Sequence, residues 1–458
     1  MRDLLVSLII IGALPACFKR PLAGMLLFSL LAYMRLQDLA WGFARFERWS
    51  LYVALAMFSG WMLHGKKEPL PSDLRIGLLI FLPIWALLSK IFAEGNAPID
   101  PAGVIEYVKI IAIALFTTVI VKRRDHVRAM MWVIGGSFAF YAYKNGAASV
   151  LSGGSLYIIR GPGGMLEDNN DFALAMAMSI PILVGLTLSE LKPLYRRWFG
   201  LGVPLAALTV IATRSRGGAL SMGLAFGIVI WRSKNRIAGI VLGALMLVVG
   251  LALAPAEWFA RLSTLKNVSD DGSAMGRIKA WKVAKEMIID NPVFGVGFER
   301  FRANYLRYDP VGTGDSTHTR VAHNAYLQIW AETGTPAFLA YVSLMFLSLF
   351  DLWSLRREAR KRVERSWILY YCTALEGALL TFMLGSTFLN RAHFDLIYHY
   401  FALILIFGRI ARAELRGPVI VPGGASARTG TFVRVDEVKF GRRPTDARRF
   451  RQTSLTAD

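Results

Sequence analysis

Apolar runs of about 15 to 20 residues, parted by short polar breaks, recur along most of the chain. They predict membrane-spanning helices near 3–18, 21–35, 49–64, 75–92, 104–121, 127–144, 171–190, 198–213, 217–231, 238–254, 336–353, 367–388 and 395–410. That spacing suits a bilayer core, and the strict alternation of a transmembrane β-barrel is absent. The fold class is therefore an all-α, polytopic membrane protein of about twelve to thirteen spans, the first two short enough to form one broken hairpin. The run Leu4 to Phe18 has weak flanking charge and no small-residue cleavage site, so it reads as a retained span rather than a signal peptide.

The polar breaks give an orientation. Lys19-Arg20, Lys66-Lys67, Lys122-Arg123-Arg124, Lys192 with Arg196-Arg197, Arg232 with Lys234 and Arg236, and the run LRREARKRVER at 355–365 fall on one side. Basic loops mark the cytoplasmic face, and Trp198, Trp231, Trp353 and Trp367 stand at the same boundaries, as interfacial aromatic residues do. The opposite, periplasmic side receives 145–170 and one long polar segment. The chain divides into an N-terminal membrane bundle (1–254), a periplasmic loop domain (255–335), C-terminal membrane helices (336–410) and a basic, Pro- and Gly-punctuated cytoplasmic tail (411–458). Within the loop domain, GRIKAWKVAKEMIIDNP predicts an amphipathic helix ending at Asn291-Pro292. Ile278, Trp281, Ala284 and Ile288 share its apolar face, suited to lying on the outer membrane surface.

Composition adds two restrictions. The 458 residues are 55% hydrophobic and 19% charged, with a formal net charge of +21. In a soluble protein such a charge would suggest nucleic acid; here cytoplasmic loops account for most of it, and no nucleic-acid partner is implied. Cys17 and Cys372 lie in separate apolar segments and read as core thiols, not as a disulfide or metal pair.

Cations that break the charge trend need a local reason. In TRSRGG, Arg214 and Arg216 close one span on the less basic side, next to Gly217-Gly218. Two guanidinium forks beside glycines suit phosphate oxygens, although snorkelling arginines in a tight turn would look the same. Lys90 ends another span on that side. In RGPGGMLEDNND, Arg160 and the glycines can line a polar pocket, and Glu167 can orient an arginine or a sugar. The Asp168-Asn169-Asn170-Asp171 run also reads as a helix cap. In RVAHNAYLQIWAETGTP, the Thr333-Gly334-Thr335-Pro336 break puts His323 in the first turn of a short outer helix. A helix N-terminus disfavours imidazolium, as a general base requires; packing with Tyr326, Leu327 and Trp330 is the alternative. His318 sits in a flexible-looking loop, and His393 lies beside Arg391 and Asp395. The G-x-G of FGVGF lacks the strand–helix context of a dinucleotide site, and no nucleotide-binding, zinc-protease or serine-hydrolase motif occurs.

The order of TRSRGG, then SAMGRIKAWKVAKEMIIDNPVFGVGFERF, then AHNAYLQIWAETG resembles the O-antigen ligase and polymerase superfamily of bacterial inner-membrane glycosyltransferases. MRDLL and GPGGMLEDNND resemble its subgroup of O-glycosylation ligases from exosortase A systems. The likeness spans roughly residues 1–410. It implies transfer of a glycan from undecaprenyl diphosphate to an acceptor hydroxyl on the periplasmic side, with no metal or cofactor. The acceptor would be lipid A-core, a protein or a polysaccharide. It further implies that His323 is the catalytic base and that Arg214, Arg216 and Arg277 bind the diphosphate. Lys90 and Arg160 match by position, while Glu167, Asn324 and His393 are acceptor or orienting candidates. Asn324 stands where much of the family has serine. A polymerase of the same superfamily and a lipid-linked glycan transporter are the competing readings.

Overall fold

The computed structural model describes residues 1–65, 67–93, 100–237, 239–241, 243–244, 248, 272–309, 319–361 and 366–417. The helices of more than ten residues are α1 (Arg2–Lys19), α2 (Pro21–Tyr33), α3 (Trp49–His64), α4 (Leu74–Phe92), α5 (Ala102–Ile120), α6 (Arg124–Tyr141), α7 (Asn169–Ser189), α8 (Pro193–Ala212), α9 (Arg216–Arg232), α10 (Gly272–Asp290), α11 (Ala325–Ala359), α12 (Ser366–Gly385) and α13 (Asp395–Arg416). Apart from 238–254, most of which lies outside the described residues, every predicted span coincides with one of these helices. Six of them, α4, α5, α7, α11, α12 and α13, are long and apolar enough to cross a membrane. The protein is all-α and multi-pass. Cys17 and Cys372 are buried, free thiols.

The centre of the bundle is α7 and α13. In α7 nearly every residue from Asp171 to Leu183 is buried, and in α13 every residue from Leu396 to Gly408 is. A helix apolar on all sides must be surrounded, and α6, α8, α9 and α12 wrap α7. The two ends of the bundle differ. One, the lower end, carries the basic turns; the other, the upper end, carries the α2–α3, α6–α7, α8–α9 and α12–α13 connections.

A break in α11 fixes the upper lobe. Gly334 adopts φ 77°, a left-handed conformation that interrupts the 35-residue helix. Pro336 follows and brings no N–H to return to residue 332. The carbonyls thus released need other donors. Val296 N–H donates to Ala331 O (2.8 Å) and Gly297 N–H to Glu332 O (3.0 Å). Ser89 Oγ also reaches Glu332 O (2.8 Å), and Trp85 Nε1 donates to Thr333 O (2.9 Å). The FGVGF turn is therefore a clamp that ties α4 to the kink. A Cβ at Gly334 would come 2.0 Å from Val293 O, so the contact requires glycine.

Above the clamp, α10 packs on the first part of α11. The helix ends at Asp290, as the Asn291-Pro292 stop predicts. Its buried stripe differs from the expected one. Ala280, Val283, Ala284 and Met287 are buried with Val296, Phe301, Tyr305, Ala322 and Ala331, whereas Ile278 is exposed. Small side chains allow close approach to protein, so this helix covers a second core instead of lying flat with Ile278 down. Trp281, at the edge of the stripe, donates through Nε1 to Ala322 O (3.0 Å).

Candidate active site

The upper-end turns meet around the start of α11. Asp168 caps α7, its carboxylate accepting the Asn170 N–H at 2.8 Å. The two asparagines that follow reach across to the α8–α9 turn. Asn169 Nδ2 donates to Thr213 O (3.2 Å), and Asn170 Oδ1 accepts from Ser215 Oγ (2.7 Å). Ser215 in turn caps α9 by accepting the Gly218 N–H (3.1 Å). The DNND and TRSRGG segments are thus one stitched unit. Between them the chain holds Arg214 at φ 54°, its guanidinium 4.4 Å from the Tyr157 ring centroid. Arg216 opens α9.

The start of α11 joins this unit through the α12–α13 turn. Ala325 N–H donates to Ser386 O (2.8 Å), and a Cβ on Gly217 would lie 3.6 Å from Phe388. Arg391, from the same turn, forms an ion pair with buried Asp171. Asn324 is the α11 cap: its Oδ1 accepts the N–H groups of Tyr326 (2.9 Å) and Leu327 (3.0 Å). Serine can do the same job, which accounts for asparagine standing where the resembled family has serine.

His323 immediately precedes that cap at φ 48°. A non-glycine residue there is strained, and such strain concentrates where surroundings hold a side chain in a working position. Two of the four left-handed non-glycine residues among the described residues are Arg214 and His323. Burial and the nearby Arg277 guanidinium hold the His323 imidazole below its ordinary pKa; Asp168 opposes this and Arg320 reinforces it. Arg277 comes from α10, and Arg320 from the strand-like approach to α11. Gly276 makes room for the Arg320 guanidinium, which would lie 2.1 Å from a Cβ at that position. The site therefore places an imidazole of lowered pKa within the electrostatic reach of the Arg277 and Arg320 guanidiniums and the Asp168 carboxylate.

The other sequence candidates occupy different places. Arg160 is exposed and pairs its backbone with Asp168 in an isolated bridge. Glu167 is exposed, and its carbonyl accepts the Gly161 N–H (2.8 Å). Lys90 is buried, 4.0 Å from Glu299 and over the Phe298 ring. His393 stands edge-on to Tyr107 and Phe298, 4.7 Å between centroids in each case. Burial lowers its pKa to about 4, so it stays neutral. Lys90 and His393 therefore share a neighbour, Phe298, and their contacts centre on the clamp. His318 lies outside the described residues. Sequence reading passed over Arg320 and Arg391. Arg320 stands three residues before His323 within the quoted motif, so its position was the available signal; nothing local marks Arg391 as the partner of Asp171.

Residues 201–342 match the O-antigen ligase family. This part of the chain is what resembles that family. It contains Arg214, Arg216, Arg277, Arg320, His323 and the kink of α11. Residues 1–187 match a family of unknown function (DUF5935), which supplies Lys90, Arg160, Glu167 and Asp168. The stitched DNND–TRSRGG unit thus joins the segment that matches the O-antigen ligase family to a separately matched one. No curated protein matches the chain.

Proposed function

We propose that the upper end faces the periplasm of a bacterial inner membrane and transfers a glycan from undecaprenyl diphosphate to an acceptor hydroxyl. The observation that carries this reading is His323: strained, part-buried, of lowered pKa, and within electrostatic reach of Arg277, Arg320 and Asp168 at the mouth of α11. The ligase-family match supports the reaction class.

In this mechanism Arg214, Arg216 and Arg277 grip the diphosphate, with Arg320 beside them and Lys90 and Arg160 as outlying cations. Guanidinium forks match phosphate oxygens, and fixed positive charge stabilises the leaving group as its charge grows. His323 accepts the proton of the acceptor hydroxyl. The oxygen attacks the anomeric carbon from the face opposite the diphosphate. The bond from the anomeric carbon to the phosphate oxygen breaks, and the diphosphate leaves with the electron pair. Configuration inverts, and one base suffices, unlike the carboxylate pair of most glycoside hydrolases. Asn324 orients His323 by fixing the helix start. Glu167 and His393 are available to the acceptor side. No metal is required.

The same arginines have a second effect. In the free enzyme burial, with Arg277 and Arg320, keeps the His323 pKa below its ordinary value; a bound dianion offsets the charge of these two arginines and makes the imidazole a stronger base when substrate is present. The test is transfer from a polyprenyl-diphosphate glycan to lipid A-core, a Ser/Thr-rich secreted protein or free glycan. The acceptor that gains mass distinguishes a ligase from a polymerase. Passage of the intact lipid-linked glycan across vesicles without transfer would replace the enzyme reading with a transporter.

A further inference from the structure

A cavity of about 780 Å³ lies between α2, α3, α5 and the first turns of α13, within the usual span of ligand pockets of ~300–1,000 Å³. None of its lining groups takes part in the mechanism above. Its depth is apolar, walled by Phe28, Ala32, Phe58, Ile110 and Ile113. Leu51 and Leu55 line it from α3 and are themselves exposed on the helix surface, so the wall is open to the bilayer. Its back is closed by His399. The Tyr33 hydroxyl meets Nδ1 at 2.5 Å, and Nε2 meets Thr117 Oγ1 at 3.1 Å. Both ring nitrogens therefore meet partners within the protein. That imidazole is fully engaged and offers nothing to a ligand.

The mouth is polar and balanced. Arg35, Arg48 and Lys109 face Glu47, Glu106 and Asp395. Two of the cations are already matched, Lys109 by Glu106 (2.7 Å) and Arg35 by Asp38 (2.6 Å). Arg48 and Asp395 form no salt bridge among the described residues. Glu47, which accepts only the Tyr52 hydroxyl (3.1 Å), forms none among the described residues either, so one cation and two carboxylates stand without an ion-pair partner at the rim of an apolar slot, complementary to the phosphate and ammonium of a zwitterion. An anionic headgroup gains little from a balanced rim, and an uncharged one leaves these groups unanswered.

We propose that this cavity binds a zwitterionic phospholipid of the surrounding membrane. Its phosphate faces Arg48, its ammonium faces Asp395 and Glu47, and an acyl chain fills the slot between α2, α3 and α5. The rim also touches the active-site loop. Arg35 packs on Gly164, where a Cβ would come 2.4 Å from Nη1, and Met165 lines the cavity. The bound lipid therefore buttresses the 160–168 segment from behind.

Native mass spectrometry and thermal melting of the delipidated full chain test this, with phosphatidylethanolamine, phosphatidylglycerol and diacylglycerol added separately. One phosphatidylethanolamine should be retained and raise the melting temperature, with the other two bound about ten-fold more weakly. Ala54→Phe, which fills the slot, should abolish the response. Arg48→Ala with Asp395→Asn should leave a folded protein that no longer distinguishes the three lipids. Equal binding of the three by wild type, an undiminished response in Ala54→Phe, or unchanged discrimination in the rim variant would each overturn the proposal. The readout is independent of glycan transfer.

Discussion

The two ends of the bundle both bring arginines and carboxylates together, and they use them differently. At the lower end the charges tie helices. Glu376 of α12, 2% exposed, accepts from Arg356 of α11 (2.8 Å) and Trp353 (2.8 Å) and is paired with Arg232 of α9. Asp351 joins Arg75 of α4 (2.9 Å) to Arg412 of α13 (2.6 Å). Glu190 takes Arg128 (2.7 Å) and Trp132 (2.6 Å). At the upper end Arg277 and Arg320 act on the His323 imidazole, and Arg214 and His323 hold left-handed backbones. The end that composition makes conspicuous is tied together by ion pairs, and the less basic end is where we propose the chemistry.

Substitutions at the two ends should therefore separate stability from activity. The largest effect expected on transfer is from His323→Ala, roughly 10²–10⁴-fold in kcat with melting little changed. At the opposite end, Glu376→Ala leaves Arg356 buried without its main partner, and should cost about 3–5 kcal/mol of stability. Denaturation in detergent would show the loss, and kcat per folded molecule should stay near wild type. If Glu376→Ala instead removed activity from a stable protein, the division between the ends would fail.

Arg216→Ala comes next, at about 2–4 kcal/mol of transition-state stabilisation, read as kcat/KM with a fixed acceptor. Asn324→Ala should lose the cap, about 1 kcal/mol of stability, while Asn324→Ser should retain most of it. The smallest effect is in the pH profile. Because the His323 pKa is lowered in the free enzyme and the base must be deprotonated, the acidic limb of kcat/KM should fall below the ordinary histidine midpoint. The limb of kcat should lie higher, since bound diphosphate offsets Arg277 and Arg320. Arg277→Ala should raise the first limb toward the second.

Much of this was legible because membrane constraints are local. Continuous apolar runs mark spans, Asp168 reads as a cap, and Gly334 with Pro336 reads as a break; the cap at Asn324 was not read, and His323, expected in the first helical turn, lies just before it. His323 is found by its place just after a loop and before that break. What was missed depends on packing. Glu376 meets Arg232 across 144 residues, and no periodicity announces which helices will be neighbours. The buried face of α10 was only partly read: Ala284 is buried as expected, but Ile278 outweighs Ala280 by hydrophobicity, whereas close contact with α11 favours the smaller side chain. Lys90 looked like a topological exception; its nearest acid, Glu299, comes from a turn on the far side of the kink clamp.

The most direct test is transfer from a polyprenyl-diphosphate glycan, in EDTA, by wild type and His323→Ala of matched melting temperature. The account predicts product with inverted anomeric configuration from wild type and almost none from the variant. Undiminished transfer by His323→Ala would contradict it.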